Sequence, residues 1–464
     1  MSGEGDFCVL KSPTKRGNYM KKTFLLAVLA TVVCSLLTAG PAAAKVSEET
    51  GECLECHTEG TLGIVKQWDK SSHWNAGVGC YECHKAEKGD KDAMDHNGYT
   101  VAILVTPRDC GRCHAGETAE QEASHHAEAG NIINSADGLL GQTVGGPPAV
   151  AVGCRQCHGS IVLTNADGTL DPSTWPNTGI GRINPDGSKG SCSACHTRHR
   201  FSKSQARKPE VCGKCHLGPD HPQKEVYEES KHGILYRAFE DELNMDQPKW
   251  VAGVDYFDAP TCATCHMSAG GGQGVTHDVG KRLSWNLRAP VSKKMEDTDK
   301  KRAAMQDVCS ACHSGDFVGG FYKQLDEFVE LYDSKFGIPA KEIRDLLHAE
   351  GVIPVGNFND EIDWIYWELW HHEGRRARHG AAMSGPDYAW WHGLYEVAKH
   401  FYTEYLPAAK ELSEKAGKPE VYDKIIEKYI LSDERHEWYI KGFDKKKLEE
   451  IQQYYQERYQ QKVN

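Results

Sequence analysis

Eight times in this 464-residue chain, two cysteines and a histidine fall in the spacing C-x-x-C-H. In order the copies are Cys53, Cys56 and His57; Cys80, Cys83 and His84; Cys110, Cys113 and His114; Cys154, Cys157 and His158; Cys192, Cys195 and His196; Cys212, Cys215 and His216; Cys262, Cys265 and His266; and Cys309, Cys312 and His313. Two thiols at this spacing add to the vinyl groups of a haem as thioethers, and the histidine that follows ligates the iron from one face. A turn of helix is enough to set both sulfurs on one porphyrin edge with the imidazole under the metal. Zinc sites also use C-x-x-C pairs, but they do not need a histidine directly after the second cysteine every time. The reading is therefore eight covalently bound c-type haems, with these eight histidines as proximal iron ligands.

The chain has 23 histidines, so fifteen remain outside the motifs. An iron between two imidazoles is closed and serves electron transfer, whereas an iron with one is open to a substrate. His73, His96, His221, His232 and His277 sit near Gly, Ser or Asp, where loops can carry a ring over a neighbouring iron. His125 and His126 point about 100° apart on a helix, so one of them is expected to ligate, and His371 and His372 pose the same choice. We take His126, His371 and His392 together with those five as further metal ligands. His348, His400 and His436 lie in charged helices and are expected at the surface.

The elements that must position these residues divide by composition. Residues 45–316 hold every motif and are punctuated by Gly, Pro, Asp and Ser, as in Asn184-Pro185-Asp186-Gly187, which argues for loops and short helices. Val101–Thr106 and Ile161–Thr164 are the only candidate strands, and a hairpin at most. Residues 317–464 hold no motif and read as a bundle of long helices: 317–347, 361–383, one opening near Pro386 and running to about Leu406, and a last one over 444–459 capped by Asp444. The fold class expected is mainly α, a haem-packed N-terminal region followed by a C-terminal long-helix bundle. Hydrophobic residues make up only 39% of the chain, a lean core that haem macrocycles would supplement.

Residues 1–44 read as a targeting segment. Met20 is followed by two lysines, an apolar run to Leu37 and Ala42-Ala43-Ala44, the pattern of a signal peptide cleaved before Lys45, with the true start near Met20. Cleavage would remove Cys8 and Cys34, leaving no thiol outside the motifs. The expected protein is periplasmic and soluble, because no later run approaches transmembrane length. A formal charge of −12 argues against nucleic acid as a partner.

With its motif count and helical tail, the chain resembles the octahaem cytochromes c of the hydroxylamine oxidoreductase family. The resemblance rests on Gly179-Ile180-Gly181-Arg182-Ile183-Asn184-Pro185-Asp186-Gly187 with Thr197-Arg198-His199-Arg200-Phe201, on Asp255-Tyr256 before Cys262, and on Trp370-His371-His372-Glu373-Gly374-Arg375 with Gly385-Pro386-Asp387-Tyr388-Ala389-Trp390-Trp391-His392-Gly393. It implies that the haem held by Cys154 and Cys157 is the open, catalytic one. It further implies a distal pocket of an aspartate, a histidine and a tyrosine, for which Asp186, His199 and Tyr256 are the best matches. A homotrimer is implied too. In the oxidising members a tyrosine of a neighbouring subunit is bonded to the catalytic haem, and Tyr388 is the first candidate here, with Tyr395 second.

The function expected is oxidation of hydroxylamine or hydrazine, or reduction of nitrite or hydroxylamine, at one open haem, with seven others relaying electrons to a cytochrome partner. Every motif ends in histidine, unlike the ammonia-forming nitrite reductases whose active haem carries C-x-x-C-K. The alternative is a pure electron carrier with all irons closed. Reduction of a sulfur oxyanion is disfavoured, since such sites want an additional lysine or cysteine near the iron and no thiol is spare.

Overall fold

The structure, a computed structural model, describes residues 45–460; the expected signal peptide lies outside them. Helices and turns dominate, and strand is confined to three two-stranded pieces. The fold is mainly α, as the composition predicts.

The largest piece of sheet is a hairpin of β1 (Ala93–His96) and β2 (Tyr99–Ala102), in antiparallel register with His96 opposite Tyr99. Its two-residue turn is Asn97-Gly98, and both residues have positive φ, 53° and 84°. That is the Asn-Gly turn whose twist suits a tight hairpin. The strand expected at 101–106 therefore starts earlier and ends at Ala102. Ile161–Thr164 forms no strand and makes only single bridges, Ile161 to Ile183 and Thr164 to Leu170.

The motif region is a string of short helices and loops, many built to place the C-x-x-C-H residues. The helices Cys80–His84, Cys154–His158 and Cys262–His266 are each one motif long. Start signals are local on the first and last of these and on the helix Pro107–Gly111. The Glu82 carboxylate accepts from the Gly79 N–H at 2.8 Å, Asp109 accepts from the Thr106 N–H at 2.7 Å, and the Thr264 hydroxyl accepts from the Thr261 N–H at 2.9 Å. Each satisfies an N–H that the helix itself leaves unpaired. Side-chain core is sparse here. Its main cluster gathers Tyr236, Leu243, Trp250 and Tyr256 behind the seventh motif, while Leu62, Ile133, Val152, Ile161, Leu163 and Phe257 stay exposed.

The C-terminal half is the opposite case. Helices α1 (Gly315–Tyr332) and α2 (Ile338–Ala349) run on through a π-helical turn over Asp333–Gly337. Helices α3 (Glu361–Trp367) and α4 (Gly374–Ala382) are joined the same way over Glu368–Glu373. A third rod opens with Pro386 in its first turn and passes through α5 (Glu396–His400) into α6 (Leu406–Lys415), nine residues beyond the expected end. Sequence reading missed α7 (Pro419–Ile425). The final helix, α8 (Lys445–Gln460), is capped by Asp444, which accepts from the Lys446 N–H at 2.9 Å. The main core cluster lies in these helices and includes Tyr332, Ile343, Leu369, Phe401, Tyr405 and Ile425. Here side chains alone remove enough apolar surface from water to hold the bundle. His436, expected at the surface, is buried in it and shares a 2.6 Å hydrogen bond with the Tyr402 hydroxyl.

Two close approaches set the geometry of α4. A Cβ on Gly380 would collide with the backbone of Tyr388 and Ala389, and one on Gly393 with Tyr388 and Ala377. Glycine at these two positions lets α4 and the rod carrying Tyr388 pack backbone to backbone.

Candidate functional site

Six of the eight motif histidines are presented in a common way. His57 Nδ1 stands 2.8 Å from the Thr61 hydroxyl, and His84 Nδ1 is 3.4 Å from the Ala102 carbonyl. The rings of His158, His196 and His266 bond to the backbone of Ala129, Ser202 and Val279, and that of His216 to the Gln223 side chain. A metal-ligating imidazole is oriented by such an outer hydrogen bond, which occupies one ring nitrogen and frees the other. Burial holds His158, His196, His216 and His266 below the ordinary imidazole value, to about 4 for His196 and His216. They are therefore neutral at pH 7, as a ligand must be.

Four of these rings face a second imidazole. His57 and His96 have centroids 6.1 Å apart, His114 and His73 6.2 Å, His216 and His126 6.2 Å, and His313 and His232 6.0 Å. A metal held between two imidazoles at about 2 Å from each nitrogen separates the ring centroids by roughly 6 Å. The residues present thus fit haem irons with two axial histidines. Among the described residues no three His, Cys, Asp or Glu side chains gather as a metal cage requires. His277 lies near His196, and His84 near His199.

The thiols show how the motifs neighbour one another. Cys110 lies against Cys192, Cys212 against Cys262, and Cys157 against Cys215. Cys53 neighbours Cys80, Cys83 neighbours Cys113, Cys195 neighbours Cys212, and Cys265 neighbours Cys309. The order in space is first, second, third, fifth, sixth, seventh, eighth, with the fourth joining at the sixth. Sequence spacing did not reveal that the third motif meets the fifth or that the fourth branches off the line.

These motifs, paired imidazoles and neighbouring thiols agree with the comparisons. Residues 183–360 match the family described as seven times multi-haem cytochrome CxxCH, and residues 36–85 match cytochrome c554 and c-prime. The chain is a multihaem cytochrome c.

A curated relative of the cytochrome is a probable nitrite reductase-hydroxylamine oxidoreductase fusion protein of Kuenenia stuttgartiensis, 28% identical, with 74% of this chain and 49% of that protein covered. Another is the C-type polyheme cytochrome OmcC of Geobacter sulfurreducens, 21% identical, with 61% of this chain and 28% of that protein covered. The cytochrome thus spans about half or less of the length of these curated relatives. Among solved structures, a hypothetical multiheme protein matches with a TM-score of 0.73 and 27% identity, over 81% of this chain and 98% of that one. A reducing HAO-like protein complex of Kuenenia stuttgartiensis matches with a TM-score of 0.57 and 22% identity, over 80% and 86%. The second likeness is one of fold.

The structure does not bring Asp186, His199 and Tyr256 together. The Asp186 carboxylate accepts from the Thr106 hydroxyl at 2.6 Å and from the Ser188 N–H and hydroxyl at 2.8 and 2.7 Å, so it pins its own turn to the third motif. The His199 N–H donates to Gln67 Oε1 at 3.1 Å. Tyr256 is buried, stacked on Trp250 at 4.3 Å, with its hydroxyl 2.7 Å from that of Thr264 inside the seventh motif.

The groups that act on His158 are others: His221, Asp137 and Asp220. Asp137 Oδ1 stands 2.8 Å from His371 Nε2, and Arg375 Nη1 lies 2.9 Å from the same nitrogen. Arg375 Nη1 also donates to Asp220 Oδ2 at 3.3 Å, and that oxygen is 3.6 Å from His221 Nε2. His221 is a further 6.2 Å, ring to ring, from His216. Burial alone would raise the Asp137 carboxyl, but the hydrogen bond with His371 and the charge of Arg375 hold it below the usual range, so it is ionised.

His371 and His392, both expected as iron ligands, have carboxylates as their near partners. His392 lies between Asp387 at 3.3 Å and Glu396 at 3.5 Å, more than half exposed, with the Tyr388 ring 5.8 Å away. Tyr388 is half-buried, and its N–H donates to Glu229. Trp390, Trp391 and Tyr395 on the same rod are exposed. Asp137, Asp220 and Arg375 were not singled out from sequence. The available signal was Gly218-Pro219-Asp220-His221-Pro222, a proline-fixed turn of five residues just after the sixth motif.

Proposed function

We propose that this cytochrome is an exported, periplasmic octahaem oxidoreductase that acts on small nitrogen compounds at the haem of the fourth motif, with the other seven haems relaying electrons. The observation that carries this reading is the convergence on His158 of two carboxylates, Asp137 and Asp220, and an imidazole, His221, with Arg375 and His371 behind them. Multi-electron nitrogen chemistry needs proton handles beside the metal, and these are such groups. When bound, the haem supplies the iron that takes the substrate nitrogen and the route for its electrons.

The chain's own residues supply the rest. His221, expected from the sequence as an iron ligand, is read instead as a proton handle that holds or releases a proton at Nε2, beside Asp220 Oδ2. Asp220 accepts hydrogen bonds from N–H or O–H groups of the substrate or from His221. Asp186, His199 and Tyr256 stand with other motifs and are given no part in this pocket. The name of the Kuenenia fusion protein supports the substrate class.

We take the working assembly to be a homotrimer in which Tyr388 of one copy is offered to the fourth haem of the next. Its half-exposed position beside Trp390, Trp391 and Tyr395 supports this. That arrangement belongs to the oxidising direction, with electrons leaving to a cytochrome partner.

The test is spectroscopic. The oxidised holoprotein at room temperature is expected to show a high-spin signal that shifts on adding hydroxylamine or cyanide. A fully low-spin, ligand-inert protein would instead support the pure electron carrier, the reading that the four imidazole pairs favour when taken alone.

A further inference from the structure

We infer that Arg375 is a positioning residue of the His158 pocket, fixing the Asp220 carboxylate against His221, and that the Asp137 carboxylate, which accepts from the His371 Nε2–H, holds the Arg375 charge in turn. This deepens the proposed function and rests on it.

The argument is geometric. The Arg375 guanidinium is held on three sides. Its Nε donates to the Arg288 carbonyl at 2.8 Å, its Cζ lies 5.1 Å from the Trp370 ring centroid, and its Nη1 donates to Asp220 Oδ2 at 3.3 Å while standing 2.9 Å from His371 Nε2. The His371 ring is clamped as tightly. Trp367 stacks on it at 4.0 Å with planes 18° apart, and Asp137 stands 2.8 Å from its Nε2. Arg375, on the first turns of α4, and His371, in the π-helical turn before it, are four residues apart, which puts both side chains on one helical face. The whole set comes from four places in the chain: the helix holding Asp137, the turn after the sixth motif, the loop at Arg288, and the join of α3 and α4. What these long-range contacts fix is one oxygen, Asp220 Oδ2, shared between Arg375 and His221.

A fixed carboxylate sets where an N–H or O–H of a bound molecule can donate, and a misplacement of about 1 Å near reacting atoms can cost about 100-fold in rate. Lysine cannot take over. A single ammonium cannot satisfy the Arg288 carbonyl and Asp220 from the directions that a planar fork does.

The experiment uses the haem-loaded full chain with R375Q, R375K and H371Q, and with R376Q as control. Arg376 follows Arg375 on α4 but pairs with Glu396 at 2.6 Å and Glu373 at 3.5 Å, away from the pocket. Carbon monoxide on the reduced protein is the probe, read by its C–O stretching band. Wild type and R376Q are expected to give one narrow band. R375Q and R375K are expected to shift or split it, with haem content and low-spin spectra unchanged, and H371Q to do so more weakly. In turnover with hydroxylamine, R375Q is expected to lose about 100-fold in kcat with KM little changed. Carbon monoxide binding in which R375Q keeps the wild-type band overturns the positioning role and leaves the open haem standing. Loss of haem in R375Q also overturns it, in favour of a structural role. Failure of the wild type to bind carbon monoxide overturns the proposed function and this inference together.

Discussion

The imidazoles of His126 and His216 face each other with centroids 6.2 Å apart, although one belongs to a turn before the fourth motif and the other to the sixth. The adjacent His125 points elsewhere, toward the position a Gly280 Cβ would take. Burial also pulls the His126 imidazole down to about 4, so it stays neutral across the working pH range. The fold has thus made the choice between adjacent histidines that helical geometry left open. Substituting His126→Ala is expected to convert one low-spin haem to a high-spin, ligand-accessible one, seen by electron paramagnetic resonance. The substitution His125→Ala is expected to leave the low-spin count unchanged, and equal effects from the two would overturn this pairing.

Arg282 organises the loop after the seventh motif. It is buried, and its guanidinium donates to the carbonyls of Cys265 at 3.0 Å, Ser268 at 2.9 Å and Gly274 at 2.7 Å. Buried carbonyls stripped of a charged donor are costly. Arg282→Ala is expected to destabilise the folded holoprotein by about 3 kcal/mol, measured by denaturant unfolding. A change below 0.5 kcal/mol, within the usual scatter of roughly that size for surface substitutions, would mean that water replaces the guanidinium.

His400 on α5 makes stability depend on pH. Its Nδ1 is 3.3 Å from Glu373 and its Nε2 is 3.6 Å from Glu404, while Lys399 and Arg376 bring positive charge nearby. The hydrogen bond with Glu373 raises the imidazole above its ordinary value, against burial, which lowers it. A base whose folded value is raised binds its proton more tightly when folded. The stabilisation is therefore complete below about pH 6.5 and is lost as pH climbs through the raised value. The melting temperature is expected to fall from pH 6 to pH 9, and His400→Gln is expected to flatten that slope. An unchanged slope in the variant would assign the dependence to other groups.

In the proposed trimer, Tyr388 is the residue that would set the direction of the reaction. Mass spectrometry of the peptide holding it, taken from the mature protein, is expected to show attached haem. A free peptide would instead point to reduction of nitrite or hydroxylamine. The substitution Tyr388→Phe is expected to leave haem attachment at the eight motifs intact, checked by the pyridine haemochrome.

Much of the C-terminal bundle is legible in the sequence, because its helices bury one another. The apolar spacing that places Leu325, Ile343, Leu369 and Trp370 on stripes is the same spacing that builds the core. Helix α7 escaped because it is a short return segment between charged turns. In the motif region that logic fails. Its partner surfaces are macrocycles rather than side chains, so periodicity says little, and the hairpin at Asn97-Gly98 was legible only through its turn.

The sequence alone marks where c-type haem would attach, because thioether formation and proximal ligation need only residues within five positions of one another. It also placed His73, His96, His126 and His232 among the candidates that the structure sets opposite motif rings. Tertiary structure alone decided what surrounds His158. Asp137, Asp220, His221, His371 and Arg375 come from distant segments, and no local spacing records which loops meet. The Asp186 turn shows the same limit from the other side. Its Asn-Pro-Asp-Gly sequence is equally suited to a catalytic loop or a structural one, and only the hydrogen bond from Thr106 reveals that its carboxylate is already engaged.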